Sequence, residues 1–281
     1  MKDLRDKIVR NVQQALTEDV GAGDLTALLI PNDKVLSASV ISREEAVLCG
    51  VQWFEACFLI LAPDTTIDWF AGDGDFVQAG KKLCEIRGNA RALLTAERSA
   101  LNFLQLLSAV ATQTKHYVDA IADTKAVIVD TRKTLPGLRM AQKYAVTCGG
   151  GVNHRMGLYD GILIKENHIK AAGGVKLALS KAQEIAPVGV FIQIEVESLQ
   201  ELQEALAADA TMVLLDNFTL DQLRDAVALT RERSSEWIIL EASGNVTLDN
   251  VRQVAETGVD RISVGGLTKD IKAVDLSMRF V

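Results

Sequence analysis

The residues best suited to chemistry crowd into one stretch of this chain. Between Asp130 and His168 lie Arg132, Lys133, Arg139, Lys143, His154, Arg155, Lys165 and His168, against only Asp130, Asp160 and Glu166 as acids in those 39 residues. A guanidinium fork grips a carboxylate or phosphate through paired hydrogen bonds, while an ammonium acts as a compact point charge. Arg132-Lys133 and Lys165 each follow directly on a short apolar run. A cation placed there either meets an anion or is desolvated with nothing to offset the cost. Arg139 and Lys143 fit an ordinary solvated helix face equally well. His154, in a turn between Asn153 and Arg155, is placed to touch a ligand, the plainer alternative being a partly buried structural histidine.

Other features surround this cluster. Gly149-Gly150-Gly151 allows the backbone to bend sharply near a ligand, or simply stops a helix. Ser243-Gly244-Asn245 and Val264-Gly265-Gly266 each separate an apolar run from a helical one. Backbone N–H groups and a helix N-terminus can hold a phosphate at such turns. Glu195 and Asp216 end two further runs. Carboxylates beside a phosphate site serve Mg²⁺, sugar hydroxyls or a developing cation, the alternative being an internal salt bridge to Lys165 or Arg132. The residues together describe a pocket for a phosphorylated sugar with magnesium, beside a cationic slot for a second anion.

The elements that must position them follow two rhythms. From Val35 to Arg87 the pattern is one of strands and turns, with alternation over Val35–Ser42 and a helix over Val51–Leu61. Ala90–Ala122 carries apolar residues at helical spacing through Leu93, Leu94, Leu101, Leu104, Leu107 and Val110. A further helix starts near Pro136 and closes at the glycine run. Short apolar runs recur from Ala126 onward, at Ala126–Val129, Gly161–Ile164, Phe191–Ile194, Met212–Leu215, Trp237–Leu240 and Ile262–Val264. Amphipathic helices such as Leu199–Ala207, Leu220–Arg231 and Leu248–Thr257 lie between most of them, which implies parallel βαβ units. Pattern alone allows an open barrel or a doubly wound sheet. Nearly every run ends in a polar or charged residue, and this favours the barrel, where strand C-termini meet at one face.

The bulk properties bound these readings. At 281 residues with 48% hydrophobic and 24% charged residues, the chain has a globular composition and can bury a sizeable core. A net charge of −7 speaks against a general nucleic-acid binder. Cys49, Cys57, Cys84 and Cys148 form no CxxC pair and are expected to be buried small hydrophobes rather than a zinc or redox site. The charged start, Met1–Arg10, and the absence of any long apolar window predict neither a signal peptide nor a membrane span, and hence a cytoplasmic protein.

The stretch DTRKTLPGLRMAQKYAVTCGGGVNHRMGLYDGILIKENH (Asp130–His168) resembles the signature region of the quinolinate phosphoribosyltransferases, also called carboxylating nicotinate-nucleotide pyrophosphorylases. LTEDVGAGDLT (Leu16–Thr26), LLTAERSALNFLQLLSAVAT (Leu93–Thr112), IEVESLQEL (Ile194–Leu202), LLDNF (Leu214–Phe218), LEASGNV (Leu240–Val246) and ISVGGLTKDIKAVDLSMRF (Ile262–Phe280) are similar to that family in the same order. The resemblance implies an α/β fold: an N-terminal α/β sandwich over 1–112, an incomplete parallel α/β barrel over 113–267, and a tail, 268–281, that returns to the first domain. It implies the conversion of quinolinate and 5-phosphoribosyl 1-pyrophosphate to nicotinate mononucleotide, pyrophosphate and CO₂, in a homodimer or hexamer. By the same resemblance Arg132, His154 and Arg155 hold the quinolinate carboxylates, with Arg98 supplied by the neighbouring subunit. Lys133 and Lys165 contact the phosphoribosyl substrate, with Thr131 beside them. Glu195 and Asp216 lie by the ribose and Mg²⁺, and the turns Ser243–Asn245 and Val264–Gly266 cradle the 5-phosphate. A non-catalytic barrel that senses a phosphorylated metabolite is the reading of another class; it would not need Glu195, Asp216 and Lys165 together.

Overall fold

The structure, a computed structural model, describes residues 2–233 and 238–280. The chain divides into two compact units, one of Met1–Lys115, Thr134–Gly150 and Leu267–Val281, the other of His116–Lys133 and Gly151–Gly266.

The first unit opens with helix α1 (Lys2–Val20), followed by strand β1 (Val35–Ser42), β2 (Ala46–Val47) and helix α2 (Val51–Leu61). Strands β3 (Thr66–Trp69), β4 (Phe76–Val77) and β5 (Lys82–Asn89) lead into the long helix α3 (Ala90–Ala120). Alternation drives β1: Ala38, Val40 and Ser42 are buried while the residues between them are not. Trp53, Phe54, Cys57 and Phe58 form the buried stripe of α2, and Leu93, Leu101, Leu104, Leu107 and Val110 that of α3. Gly50, at φ 110°, starts α2 where a Cβ would come within 3.1 Å of Leu107 Cδ1. Strands β1, β5 and β3 pair antiparallel.

The second unit's first strand is β6 (Val127–Val129), and helix α4 (Arg139–Cys148) follows it in the chain. Then come β7 (Gly161–Ile164), α5 (Glu166–Ala172), α6 (Val175–Ile185), β8 (Phe191–Val196), α7 (Leu199–Ala207) and β9 (Met212–Asp216). The unit continues through α8 (Leu220–Arg233), β10 (Ile239–Ser243), α9 (Val251–Glu256) and β11 (Arg261–Ser263). Among the described residues its sheet has the order β6-β11-β10-β9-β8-β7. Every pairing is parallel. Strands β6 and β7, successive in the sheet's chain order, lie at its opposite edges, so the row of strands is open between them. Gly161 begins β7 because a Cβ there would meet the Phe191 ring at 2.5 Å. A short helix, α10 (Gly266–Lys269), precedes β12 (Leu276–Phe280), which pairs antiparallel with β1.

The pattern-based elements differ from the structure in a few places. The run Trp237–Leu240 becomes β10 from Ile239, and Trp237 lies outside the described residues. The helix expected over Leu248–Thr257 shortens to α9 because Thr247–Asn250 forms a capping turn, with the Thr247 N–H donating to Asn250 Oδ1 at 2.8 Å. Helix α4 starts at Arg139 rather than near Pro136, since Gly137 adopts a φ of 79°. The segment Thr134–Gly150, which falls inside the 113–267 barrel boundaries, belongs to the first unit. Its anchors there are the Tyr144 ring against Trp53, at 5.7 Å, and the Tyr144 hydroxyl donating to Asp73 at 2.8 Å. Lys143 does not solvate a surface: it is fully buried in α4. No helix among the described residues is long and apolar enough to cross a membrane.

Candidate active site

One cavity of about 400 Å³ collects the C-terminal ends of all six parallel strands. Thr131, Arg132 and Lys133 reach it from the segment after β6, Leu163 and Lys165 from the end of β7, and Glu195 from β8. Leu214 and Asp216 come from β9, Glu241 and Ser243 from β10, and Ser263 from β11. His154 and Arg155 complete the lining. A flat doubly wound sheet cannot bring six strand ends to one small cavity, whereas strands curled into an open barrel do so as a matter of geometry. The doubly wound alternative is thereby removed.

The cavity is strongly cationic on one side. Arg155 is only 8% exposed. Its Nη1 donates to the Gly161 carbonyl at 2.9 Å. Burial, and then the neighbouring Arg132, depress its affinity for its proton, with Asp160 acting the other way. Two guanidiniums held together against their own repulsion make a site that an anion relieves. Asp160 is spent largely on the loop, accepting from the N–H groups of Met156 at 2.6 Å and Gly157 at 2.8 Å. Lys133 is exposed at the rim, and its own N–H donates to Thr131 Oγ1 at 3.0 Å. Lys165 reaches Glu195 at 2.7 Å, so this lysine and carboxylate confront the cavity as a pair.

His154 lines the cavity and is also tied into the surrounding protein. Its N–H donates to the buried Asp130 carboxylate at 2.9 Å, fixing the turn. Ring Nδ1 accepts from the Arg155 N–H at 2.7 Å, so the ring proton sits on Nε2 and is donated to Gln193 Oε1 at 2.8 Å. Gln193 in turn donates to Glu241 Oε2 at 3.2 Å, which Arg261 also approaches at 3.0 Å. Gln193 and Glu241 are fully buried. Glu241 Oε1 makes no hydrogen bond and lies 3.7 Å from His154 Nε2. Both ring nitrogens thus have partners inside the protein, and one of them holds the Arg155 backbone beside the cavity.

The acidic strand ends sit beside a strained turn. Asn217, at φ 57°, donates from Nδ2 to Asp216 Oδ2 at 2.7 Å, and its N–H donates to the Ser243 carbonyl at 2.9 Å. Gly244 is required twice over: its φ is 101°, and a Cβ would fall 2.2 Å from Asn217 Oδ1. Asn245 is also left-handed, at φ 50°. Of the two expected phosphate turns, Ser243 and the neighbouring Ser263 line the cavity, while Gly244, Asn245, Val264, Gly265 and Gly266 are not among its lining residues. The Val264 N–H is already donated to the Val129 carbonyl at 2.9 Å. Arg98 is exposed on α3 in the first unit and does not line the cavity.

The chain matches the model of the quinolinate phosphoribosyl transferase N-terminal domain over residues 24–108 and that of the C-terminal domain over residues 110–279. The chain belongs to the quinolinate phosphoribosyltransferase family. It is 41% identical over 261 residues to the probable nicotinate-nucleotide pyrophosphorylase [carboxylating] of Bacillus subtilis, covering 93% of this chain and 89% of that one. It is equally 41% identical, over 274 residues and 95% of both chains, to the Mycobacterium leprae nicotinate-nucleotide pyrophosphorylase [carboxylating]. The solved nicotinate-nucleotide pyrophosphorylase of Francisella tularensis superposes with a TM-score of 0.94 at 44% identity, covering 99% of this chain and 97% of that one.

Every residue lining the cavity falls within the family's C-terminal domain match. Among the lining residues, the sequence pattern does not single out Leu163, Leu214, Glu241 or Ser263, nor the buried Gln193 behind them. One signal for Gln193 was available. In FIQIEV it is an amide inside a strand whose neighbour Ile194 is fully buried, and a buried amide needs partners.

Proposed function

We propose that this cavity carries out the reaction of its family, joining quinolinate to the phosphoribosyl group of 5-phosphoribosyl 1-pyrophosphate. The products are nicotinate mononucleotide, pyrophosphate and CO₂, in de novo NAD biosynthesis. The observation that carries the reading is that Arg132 and Arg155 line the same cavity, with burial and then the Arg132 charge drawing the Arg155 guanidinium below its ordinary value. A dicarboxylate offers each fork a carboxylate of its own.

Arg132 and Arg155 hold the pyridine dicarboxylate, with the Arg155 backbone N–H donating to His154 Nδ1 and its guanidinium to the Gly161 carbonyl. Lys133 and Lys165 attract the pyrophosphate and stabilise it as it departs. Its departure leaves positive charge on the sugar C1, which Glu195 and Asp216 face. The pyridine nitrogen, fixed by the arginines, then attacks C1. Once that nitrogen is quaternary, its positive charge stabilises the carbanion left on the adjacent ring carbon when CO₂ departs, and solvent then protonates that carbon. Thr131, the turn Ser243–Asn245 and the turn Val264–Gly266 are assigned to the sugar phosphate.

Glu195 and Asp216 suit Mg²⁺ in their chemistry. They are hard oxygen donors at neighbouring strand ends, and Mg²⁺ commonly takes one or two carboxylates, with waters and substrate phosphates as its remaining ligands. Bound there, the ion would neutralise charge on the pyrophosphate. The working assembly is a homodimer or hexamer in the cytoplasm, with Arg98 reaching the neighbouring subunit's cavity, a reading supported by its exposure on α3.

The test is a stoichiometry. Purified protein supplied with quinolinate, phosphoribosyl pyrophosphate and Mg²⁺ should release pyrophosphate and CO₂ in equal amounts, with little of either from nicotinate or after chelation of the metal. Pyrophosphate release that ignores quinolinate, or that runs as well with nicotinate, would remove the reading.

A further inference from the structure

Four side chains of the first unit converge without any part in the mechanism above. Cys49 stands two residues before α2, and Cys148 is the last residue of α4. Their sulfurs and a carboxylate oxygen of Asp73 all lie within 4.8 Å of one another. Tyr144, one turn before Cys148, donates to Asp73 at 2.8 Å. The backbone is pinned on both sides of this pair. Ser108 Oγ accepts from the Cys49 N–H at 2.9 Å and donates to the Cys49 carbonyl at 3.2 Å. Gly149, next to Cys148, is packed so closely that a Cβ would sit 2.3 Å from the Ala111 carbonyl oxygen. Sulfurs that face each other from fixed backbones can bond by side-chain rotation.

A bound metal ion is the competing use of two sulfurs and a carboxylate. Asp73 argues against it, because its oxygens are already engaged. Oδ1 accepts from the N–H groups of Gly50 at 2.8 Å and Val51 at 3.0 Å, and Oδ2 accepts from Tyr144. Two sulfurs alone fall short of the four ligands of a structural zinc site.

We propose that Cys49 and Cys148 are a reversible thiol pair, oxidised to an intramolecular disulfide by hydrogen peroxide. Access is graded as such a pair requires, with Cys148 half-buried and Cys49 fully buried behind it. The hydrogen bond from Cys49 holds the Cys148 thiol below its ordinary value, against burial and Asp73. Burial, reinforced by that same bond, keeps Cys49 protonated. The Cys148 thiolate attacks one peroxide oxygen, the O–O bond breaks and hydroxide leaves, giving a sulfenic acid. The Cys49 sulfur then displaces the hydroxyl, which departs as water with the Cys49 proton. The two sulfurs lose two electrons in all, and the O–O bond gains them. The new bond closes a loop of roughly 100 residues and ties the end of α4 to the start of α2.

The experiment treats the full-length protein with hydrogen peroxide, blocks remaining thiols, and maps cysteines by mass spectrometry after unfolding and digestion. The expected result is a single Cys49–Cys148 peptide, loss of two of the four thiols, recovery with dithiothreitol, and a higher Tm for the oxidised form. Cys57 and Cys84, whose thiols burial pushes up to about 12, should remain reduced. In Cys49→Ser, oxidation should stop at a Cys148 sulfenic acid that dimedone traps. Over-oxidation of Cys148 beside an intact Cys49 thiol in the unaltered protein would overturn the proposal. So would loss of all four thiols at one rate, or no loss before unfolding.

Discussion

Among the described residues, the first unit's core and the strand ends of the second differ in which buried polar atoms lack a hydrogen bond. In the first these are the hydroxyls of Thr65 and Ser277, whereas in the second they include charged groups at Glu241 and Arg261. In the first, Thr112 Oγ1 takes the Val47 N–H at 2.8 Å, and Thr114 donates to the Val110 carbonyl at 2.8 Å. Gln142 bonds at both ends of its amide, accepting from the Leu135 N–H at 2.7 Å and donating to the Thr268 carbonyl at 2.8 Å. At the barrel mouth, Glu241 Oε1 is buried with no hydrogen bond and Arg155 carries a charge its surroundings resist. A protein keeps unbalanced polarity where a ligand completes the balance. Stability should therefore reside in the first region and turnover in the second.

That division can be broken by exchange of effects. Leu104→Ala empties a fully buried position on α3 and should cost about 2–5 kcal/mol of stability by denaturant unfolding, with KM for quinolinate unchanged. Arg155→Ala should do the reverse, raising the barrier in kcat/KM for quinolinate by about 2–4 kcal/mol, or roughly thirty- to nine-hundred-fold, with little change in the unfolding midpoint. A Leu104 variant with altered KM, or an Arg155 variant that only unfolds more easily, would erase the distinction.

Alkaline pH sharpens the contrast. Burial raises the Cys57 and Cys84 thiols from 9.0 to about 12 in the folded protein. Above pH 9 the unfolded chain sheds these protons while the folded one keeps them, so stability is complete below that pH and falls between 9 and 12. Each thiol should contribute a slope of about 1.4 kcal/mol per pH unit. Replacing both by Ala should flatten the decline, as read by urea midpoints across that range. The smallest effect belongs to the surface, where Lys181→Ala breaks a 2.7 Å pair with Glu184 between well-exposed side chains. It should change stability by about 0.5 kcal/mol or less and leave turnover alone.

Much of this arrangement was legible in the sequence because local patterns carry it. Apolar runs ending in Lys165, Glu195 and Asp216 revealed both the strands and the face at which they end, since polarity changes where a strand leaves the core. What escaped depends on partners far apart in the chain. The Gln193–Glu241 bond spans 48 residues, and no periodicity signals it. Lys143 resembles any helical surface lysine until α4 is packed. Cys49 and Cys148 carry no spacing motif, and only folding brings their sulfurs together. Thr134–Gly150 interrupts one unit to join the other, which composition does not register because both units share the same residue types. The turn around His154 points to the cavity that it lines, whereas the bonds of its ring nitrogens become visible only with Gln193 and Arg155 in place.

The most direct measurement is a crystal structure of the protein with quinolinate and a non-reactive phosphoribosyl pyrophosphate analogue bound together. The account predicts both anions in the cavity at the strand ends, the dicarboxylate within hydrogen-bond reach of Arg132 and Arg155 and the pyrophosphate beside Lys165. Quinolinate bound elsewhere, or the two arginines turned away from it, would contradict the account.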